Sequence, residues 1–172
     1  MCATDMLKED AADQTMSVTL RPVAEGDEAF LLKAYASIRA EELAQVPWSE
    51  AQRDAFLKMQ FDAQQLHYKT HNPNATHDLI LLNTQAIGRL YVARRDREIR
   101  ILDLTLLPEY RNRGIGTLLI KDMMAEAASA AKPLTIYVES YNPSYQLFKR
   151  LGFHKTEEDD GVNHLLEWRA DA

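Results

Sequence analysis

The sequence predicts an α+β (α/β mixed) domain in which a central, mostly antiparallel mixed sheet of about seven strands, with one parallel pair, is flanked by four helices. Three observations carry this expectation. Alternating apolar and polar residues mark one short strand after another. Three of those strands follow one another across connections too short for anything but antiparallel pairing. One strand–helix–strand unit is long enough to cross over right-handed and pair in parallel.

Val18 and Leu20 alternate with polar neighbours, so residues 16–21 read as the first strand. From about Asp27 to Leu43 the period becomes helical, with Leu31, Ala34 and Ile38 on one face, and Pro47 closes the run. Ser49 and Gln52 have capping-box spacing and open a second helix to about Tyr68. Its apolar stripe is Phe56, Met59, Ala63 and Leu66; Gln60, Gln64, His67 and His71 form a polar stripe on the other side. His77–Leu82, Ala86–Val92 and Glu98–Leu107 are the three successive strands, joined by Asn83-Thr84-Gln85 and Arg94–Arg97. The helix from Arg113 to Ala131 buries Ile115, Leu118, Leu119, Met123 and Ala127, and Pro133 stops it. Leu134–Glu139 is the strand that pairs in parallel. Asn142 caps a short helix that begins with Pro143 and ends near Leu151, before Gly152. Phe153–Glu158 and Asn163–Arg169 close the chain as a hairpin around Asp159-Asp160-Gly161. Residues 16–170 are expected to form one domain. Residues 1–15, mostly polar or charged, are expected to be a disordered tail, unless translation begins at Met16.

Composition narrows the partners. At 172 residues, 46% of them hydrophobic, the chain can bury a single core. A net charge of -6 with acidic residues spread along the sequence argues against nucleic acid. The single cysteine, Cys2, leaves no intramolecular disulfide framework and no core thiol, which suits a reducing cytoplasm. No apolar run approaches the ~18 residues of a membrane span, so no membrane partner is expected.

The most informative stretch is Arg111-Asn112-Arg113-Gly114-Ile115-Gly116, between a strand and a helix. Two glycines remove the Cβ atoms that would keep an anion from the main chain, and the following helix offers unpaired N–H groups and the positive end of its dipole. The stretch is not a P-loop, because Gly116 is followed by Thr117 and Leu118 rather than by Lys and Ser or Thr. Nor is it a dinucleotide fingerprint, whose third glycine would fall at Leu119.

With these residues in place the chain resembles the GNAT superfamily of acyl-CoA N-acyltransferases over roughly residues 16–169. Leu104-Thr105-Leu106-Leu107-Pro108-Glu109-Tyr110, continuing through Arg111 to Gly116, is similar to the family's strand, phosphate loop and helix. Asn142-Pro143-Ser144 with Leu147-Phe148-Lys149-Arg150-Leu151-Gly152-Phe153 is similar to its second motif. The resemblance implies a GNAT-like fold and acetyl-CoA as cosubstrate; His67 and His71 are spaced for a metal, but no HExxH motif or third ligand accompanies them, so no metal is expected. It implies that main-chain N–H groups of Arg111, Arg113, Gly114 and Gly116, with Ile115 between them, bind the coenzyme A pyrophosphate. It further implies that Leu104 and Leu106 pair with the pantetheine arm, which Asn142 and Phe148 flank. The implied acceptor is a primary amine of a small molecule or protein, and a homodimer is left open.

The implied reaction is direct transfer: a neutral amine attacks the thioester carbonyl, polarised by an N–H at a strand bulge near Leu106, and the thiolate leaves. An amine of pKa ~10.4 is rarely neutral at pH 7, so a base or water chain is needed. Where the family commonly has a tyrosine as proton donor to the thiolate, this chain has Phe148. Tyr145, one helical turn earlier, and Tyr141 can supply a hydroxyl. The strand position where some members keep a glutamate is Arg100. Glu98, Asp103 and Glu139 are therefore the candidate bases, although Asp103 lies on the opposite strand face from Leu104 and Leu106. The resemblance puts the acceptor opposite coenzyme A, where the Gln60, Gln64, His67 and His71 stripe, with Phe61 and Tyr68 beside it, either lines the cleft or is a solvated helix face, and the acidic turn Glu157–Asp160 either attracts a cationic amine or keeps the hairpin edge soluble. The reading from another class is a catalytically idle acyl-CoA-binding sensor or interaction module, which the Phe148 departure keeps open.

Overall fold

The computed structural model describes residues 16–159 and 161–171. The N-terminal stretch expected to be a tail, and Asp160 of the final turn, lie outside the described residues. The elements are β1 (Val18–Pro22), α1 (Glu28–Ala44), α2 (Glu50–His71), β2 (Thr76–Leu82), β3 (Gln85–Arg94), β4 (Ile99–Leu106), α3 (Ile115–Ser129), β5 (Leu134–Glu139), α4 (Ser144–Arg150), β6 (His154–Asp159) and β7 (Asn163–Trp168). The seven strands form one sheet in the order β1-β2-β3-β4-β5-β7-β6. Every neighbouring pair is antiparallel except β4 with β5. The predicted fold class, with its single parallel pair and four helices, is the observed one.

Local chemistry explains the joints. Asn83 takes φ 58°, a left-handed conformation that asparagine tolerates, so the β2–β3 turn is tighter than the sequence suggests and Gln85 already belongs to β3. The capping box at α2 is formed: Ser49 Oγ accepts from the Gln52 N–H at 3.2 Å, and Gln52 Oε1 accepts from the Ser49 N–H at 2.9 Å. Gly88 lets β3 and β4 approach closely, since a Cβ there would sit 2.1 Å from the Thr105 carbonyl oxygen.

Two features of the sheet position the site. First, β4 and β5 pair only through Ile99↔Leu134, Arg100↔Thr135 and Ile101↔Ile136. Beyond those pairs the two parallel strands separate, so Leu104–Leu106 and Val138–Glu139 form the lips of a wedge. Secondly, the β3–β4 register shifts between Tyr91 and Val92, leaving Leu102 as an extra residue on β4. This bulge reverses the side-chain alternation. Ile99 and Ile101 before it, and Leu104 and Leu106 after it, consequently pack on the same face, against α3 and α4. The bulge expected near Leu106 thus lies at Leu102.

That face is covered by Ile115, Leu119, Ile120, Met123 and Ala127 of α3 and by Phe148 of α4. Leu118, expected in the core, is exposed. The other face carries a smaller cluster of Leu31, Tyr35, Phe61 and Leu79 beneath α1 and α2. Here two expectations fail. On α1, Ile38 is exposed and Tyr35 is buried in its stead. On α2 the stripe is inverted, for Met59 and Leu66 are 61% and 67% exposed while Phe61 points inward at 2%. The cause is Arg89 of β3, only 1% exposed on the face that α2 covers. A buried guanidinium requires acceptors. Gln64 and Gln65 supply them, so the polar side of α2 faces the sheet.

Candidate functional site

Main-chain groups along β4 define the wedge. The Ile99 N–H donates to the Pro133 carbonyl at the start of β5, whereas the Leu107 N–H donates to the Ile87 carbonyl on the β3 side at 2.8 Å. Since successive residues direct their amides to opposite edges, Leu106 and Leu104 direct theirs away from β3 and into the wedge. Among the described residues no strand pairs with β4 there. Two side chains bound the open edge: the Tyr68 hydroxyl donates to the Leu102 carbonyl at 3.1 Å, and Arg111 Nε donates to the Leu106 carbonyl at 2.9 Å.

The wedge runs into the loop after β4. A short 3-10 turn, Pro108–Tyr110, leads to Asn112 at φ 60° and Gly114 at φ 80°, both left-handed, and Gly114 is the N-cap of α3. The first intrahelical bond is Leu118 N–H to the Gly114 carbonyl at 3.0 Å, so the N–H groups of Ile115, Gly116 and Thr117 precede the helical ladder. A Cβ on Gly116 would meet nothing nearer than Leu106 Cδ1 at 4.0 Å. The space beside the helix start is therefore open, and the fold does not need glycine at 116; an anion approaching the main chain does. The Arg111 N–H, expected to meet the pyrophosphate, donates to the Pro108 carbonyl at 3.2 Å. Its guanidinium instead joins the loop to β4 and reaches Ser37 Oγ of α1 at 3.5 Å. Arg113 lies over the Tyr110 ring at 5.5 Å. The loop thus presents amides on one side and two guanidinium groups beside them, an arrangement suited to a diphosphate.

The second lip is β5 and the turn into α4. Glu139 ends β5 at the same end of the sheet as Leu106. The neighbouring Glu139 carboxylate raises the Tyr141 phenol above its usual range, and the negative charge of Glu42 on α1 acts in the same direction. The N-cap of α4 is Pro143, so the helix begins one residue later than expected; Asn142 Oδ1 accepts from the Ser144 N–H at 2.9 Å, and its amide nitrogen makes no hydrogen bond among the described residues. Tyr145 is half-buried, its ring 5.6 Å from His164 and under Lys149 Nζ at 5.8 Å. Phe148 is 3% exposed and packs edge-on against Phe153 at 5.1 Å. The structure thus places Phe148 in the core, with its ring closing the base of α4.

The remaining carboxylates are differently placed. Glu98 precedes β4, at the end of the strand opposite the loop. Burial alone would raise its pKa, but the Thr135 hydroxyl at 2.7 Å and the Arg100 and Arg95 guanidinium groups at 3.0 and 2.7 Å bring it below the ordinary value. Arg100 itself bonds Glu98 and Thr135 and lies over Tyr137 at 4.9 Å. Asp103 sits on the α2 face as expected, accepting from Arg89 Nη2 at 2.6 Å and from the Thr105 hydroxyl at 2.5 Å.

The acceptor-side stripe divides. Gln60 bonds to Tyr35 and Arg39, and Gln64 to Arg89, while His67 and His71 are exposed with rings 4.2 Å apart. Among the described residues no three His, Cys, Asp or Glu side chains group closely enough to share a metal, and no helix is long and apolar enough to cross a membrane. Sequence reasoning missed the Arg89–Asp103–Gln64–Gln65 network and the Tyr68–Leu102 bond. One signal was present: apolar parity switches from Ile99 and Ile101 to Leu104 and Leu106, which marks a bulge.

An open strand edge that runs into a glycine-bearing helix start agrees with known proteins. The acetyltransferase (GNAT) domain matches residues 36–168, and the chain belongs to that family. No curated protein matches the chain. Among solved structures, the PaiA N-acetyltransferase from Thermoplasma acidophilum, in complex with coenzyme A, has a TM-score of 0.67 at 20% identity, covering 90% of this chain and 100% of that one. An acetyltransferase from Thermus thermophilus gives 0.65 at 17% identity, covering 90% and 98%. A GNAT family acetyltransferase from Elizabethkingia anophelis with acetyl-CoA bound gives 0.54 at 19% identity, covering 89% and 98%. At these identities the likeness is one of fold.

Proposed function

We infer that the chain is an acetyl-CoA-dependent N-acetyltransferase that moves an acetyl group directly to a primary amine of a small molecule or protein. The observation that carries this reading is the β4 edge at Leu104 and Leu106, with which no strand pairs among the described residues, continuous with the amides of Ile115, Gly116 and Thr117 that precede the helical ladder. An extended pantetheine arm with two amides adds to such an edge as a strand would, and its pyrophosphate meets the helix start. Coenzyme A complexes of fold relatives support the same cosubstrate.

In the reaction, the lone pair of the amine forms the new C–N bond to the thioester carbonyl carbon. The C–S bond then breaks, and the sulfur leaves as a thiolate that takes up a proton. Glu139, on the lip of the wedge, is the carboxylate best placed to draw a proton from the incoming amine, directly or through water. Tyr145, whose hydroxyl forms no hydrogen bond among the described residues, is the donor to the thiolate. Glu98, held as an anion at the far end of β4, serves to fix Arg100 and Thr135.

Release of free coenzyme A thiol from acetyl-CoA, measured against a panel of amines, tests this reading. Turnover that falls at least tenfold in Tyr145→Phe with an unchanged KM for acetyl-CoA supports the assignment. Tight acetyl-CoA binding with no turnover on any amine would instead support an idle acyl-CoA binder, the reading that a core Phe148 favours.

A further inference from the structure

Tyr68 reaches from α2 to the point where the wedge opens. Its hydroxyl donates to the Leu102 carbonyl at 3.1 Å. Leu102 is the extra residue of the bulge, and it follows Ile101, which makes the last pair between β4 and β5. A bulge leaves main-chain groups outside the ladder, and a carbonyl without a donor in a half-buried position is destabilising. The phenol supplies that donor. Burial, together with the nearby Asp103 charge, pushes its pKa up to about 12, so it stays protonated through the neutral range.

Tyr68 is fixed from behind. Gln64 lies one turn earlier on the same helix face, and with Gln65 it accepts from the buried Arg89 guanidinium at 2.6 and 3.0 Å. Arg89 also holds Asp103, the residue after Leu102. The Tyr91 ring packs edge-on against Tyr68 at 5.1 Å, and His77 stacks on Tyr91 at 4.2 Å. The network therefore joins α2 to both sides of the bulge.

We propose that Tyr68 is a positioning residue: by holding the Leu102 carbonyl it fixes the β4 bulge, and through it the direction in which the Leu104 and Leu106 main chain meets the pantetheine arm of the acyl donor. The proposal rests on the acyl-CoA reading above. Strand parity makes the connection specific, since a β4 that lost the bulge would turn the amides of both leucines back toward β3. The phosphate loop lies beyond this segment, and Arg111 ties it separately to the Leu106 carbonyl. Tyr68 thus acts on the arm of the ligand and leaves its pyrophosphate site alone.

Tyr68→Phe keeps the ring and its contact with Tyr91 while removing the hydroxyl. Coenzyme A and ADP are titrated into both proteins by calorimetry; ADP shares the pyrophosphate but has no pantetheine arm. The expected result is coenzyme A binding weakened about tenfold, equivalent to about 1.4 kcal/mol, with ADP binding unchanged. Equal weakening of both ligands would mean general loosening of the fold and would overturn the proposal, as would unchanged coenzyme A affinity. Wild-type protein that fails to bind coenzyme A overturns the acyl-donor reading itself, and Tyr68's role with it, before the variant is considered.

Discussion

The Arg111 guanidinium donates from Nε to the Leu106 carbonyl at 2.9 Å, tying the loop that precedes α3 to the last residue of the open β4 edge. The two halves of the proposed ligand site are thereby held in one geometry. Arg111→Gln removes the charge-assisted bond from an exposed position. Acetyl-CoA affinity is expected to fall about tenfold while folding stability changes by less than about 1 kcal/mol. Calorimetric titration beside a urea unfolding curve separates the two effects.

Gly116→Val tests the helix start. A Cβ at position 116 meets nothing nearer than Leu106 Cδ1 at 4.0 Å, and in helix propensity valine is no worse than glycine, so the melting temperature without ligand should be unchanged or slightly raised. The thermal shift that acetyl-CoA produces in the wild type, about 2.7 kcal/mol of stabilisation at a hundredfold excess over Kd, should disappear. A shift equal to that of the wild type would place the phosphates elsewhere.

Asp103→Ala tests the buried network. Arg89 and Asp103 are 1% and 11% exposed, and removing the carboxylate leaves a guanidinium inside the protein with only glutamine oxygens for company. Breaking one side of such a pair costs about 3–5 kcal/mol. Chemical denaturation should show a loss of this size, and one below about 1 kcal/mol would mean that the pair is solvated.

His77 makes stability depend on pH. Burial, then the Arg89 charge, lowers its pKa to about 4, against an ordinary value near 6.5. Between those values the unfolded chain binds the proton and the folded chain does not, so stability rises with pH across this window and is lost as pH falls from 6.5 toward 4. His77→Phe retains the ring stacked on Tyr91 and should flatten that slope. Denaturation at pH 7.0 and 4.5 compares the two proteins; equal losses would rule out His77 as the cause.

The sheet was legible because its strands alternate cleanly and its turns carry their own chemistry, as at Asn83. The loop before α3 stood out because Gly114 is needed for its left-handed turn while Gly116, beside open space, has no such conformational reason. The orientation of α2 was not. Met59, Ala63 and Leu66 have the spacing of a buried stripe, but apolar periodicity cannot register a buried arginine on a neighbouring strand, and Arg89 turned Gln64 and Gln65 inward instead. Phe148 illustrates the converse. Its motif suggested a ligand contact, and only packing against Phe153 revealed a core residue. The Tyr68–Leu102 bond joins residues 34 positions apart, and its local trace was limited to the parity switch that marks the bulge.

The central claim is that the open β4 edge and the start of α3 hold an acyl-CoA together. Amide hydrogen exchange resolved to single residues, with and without acetyl-CoA, tests it most directly. The amides of Leu104, Leu106, Ile115, Gly116 and Thr117 should exchange more slowly by at least tenfold when the ligand is bound. Saturable binding that leaves those five amides unprotected would contradict the account.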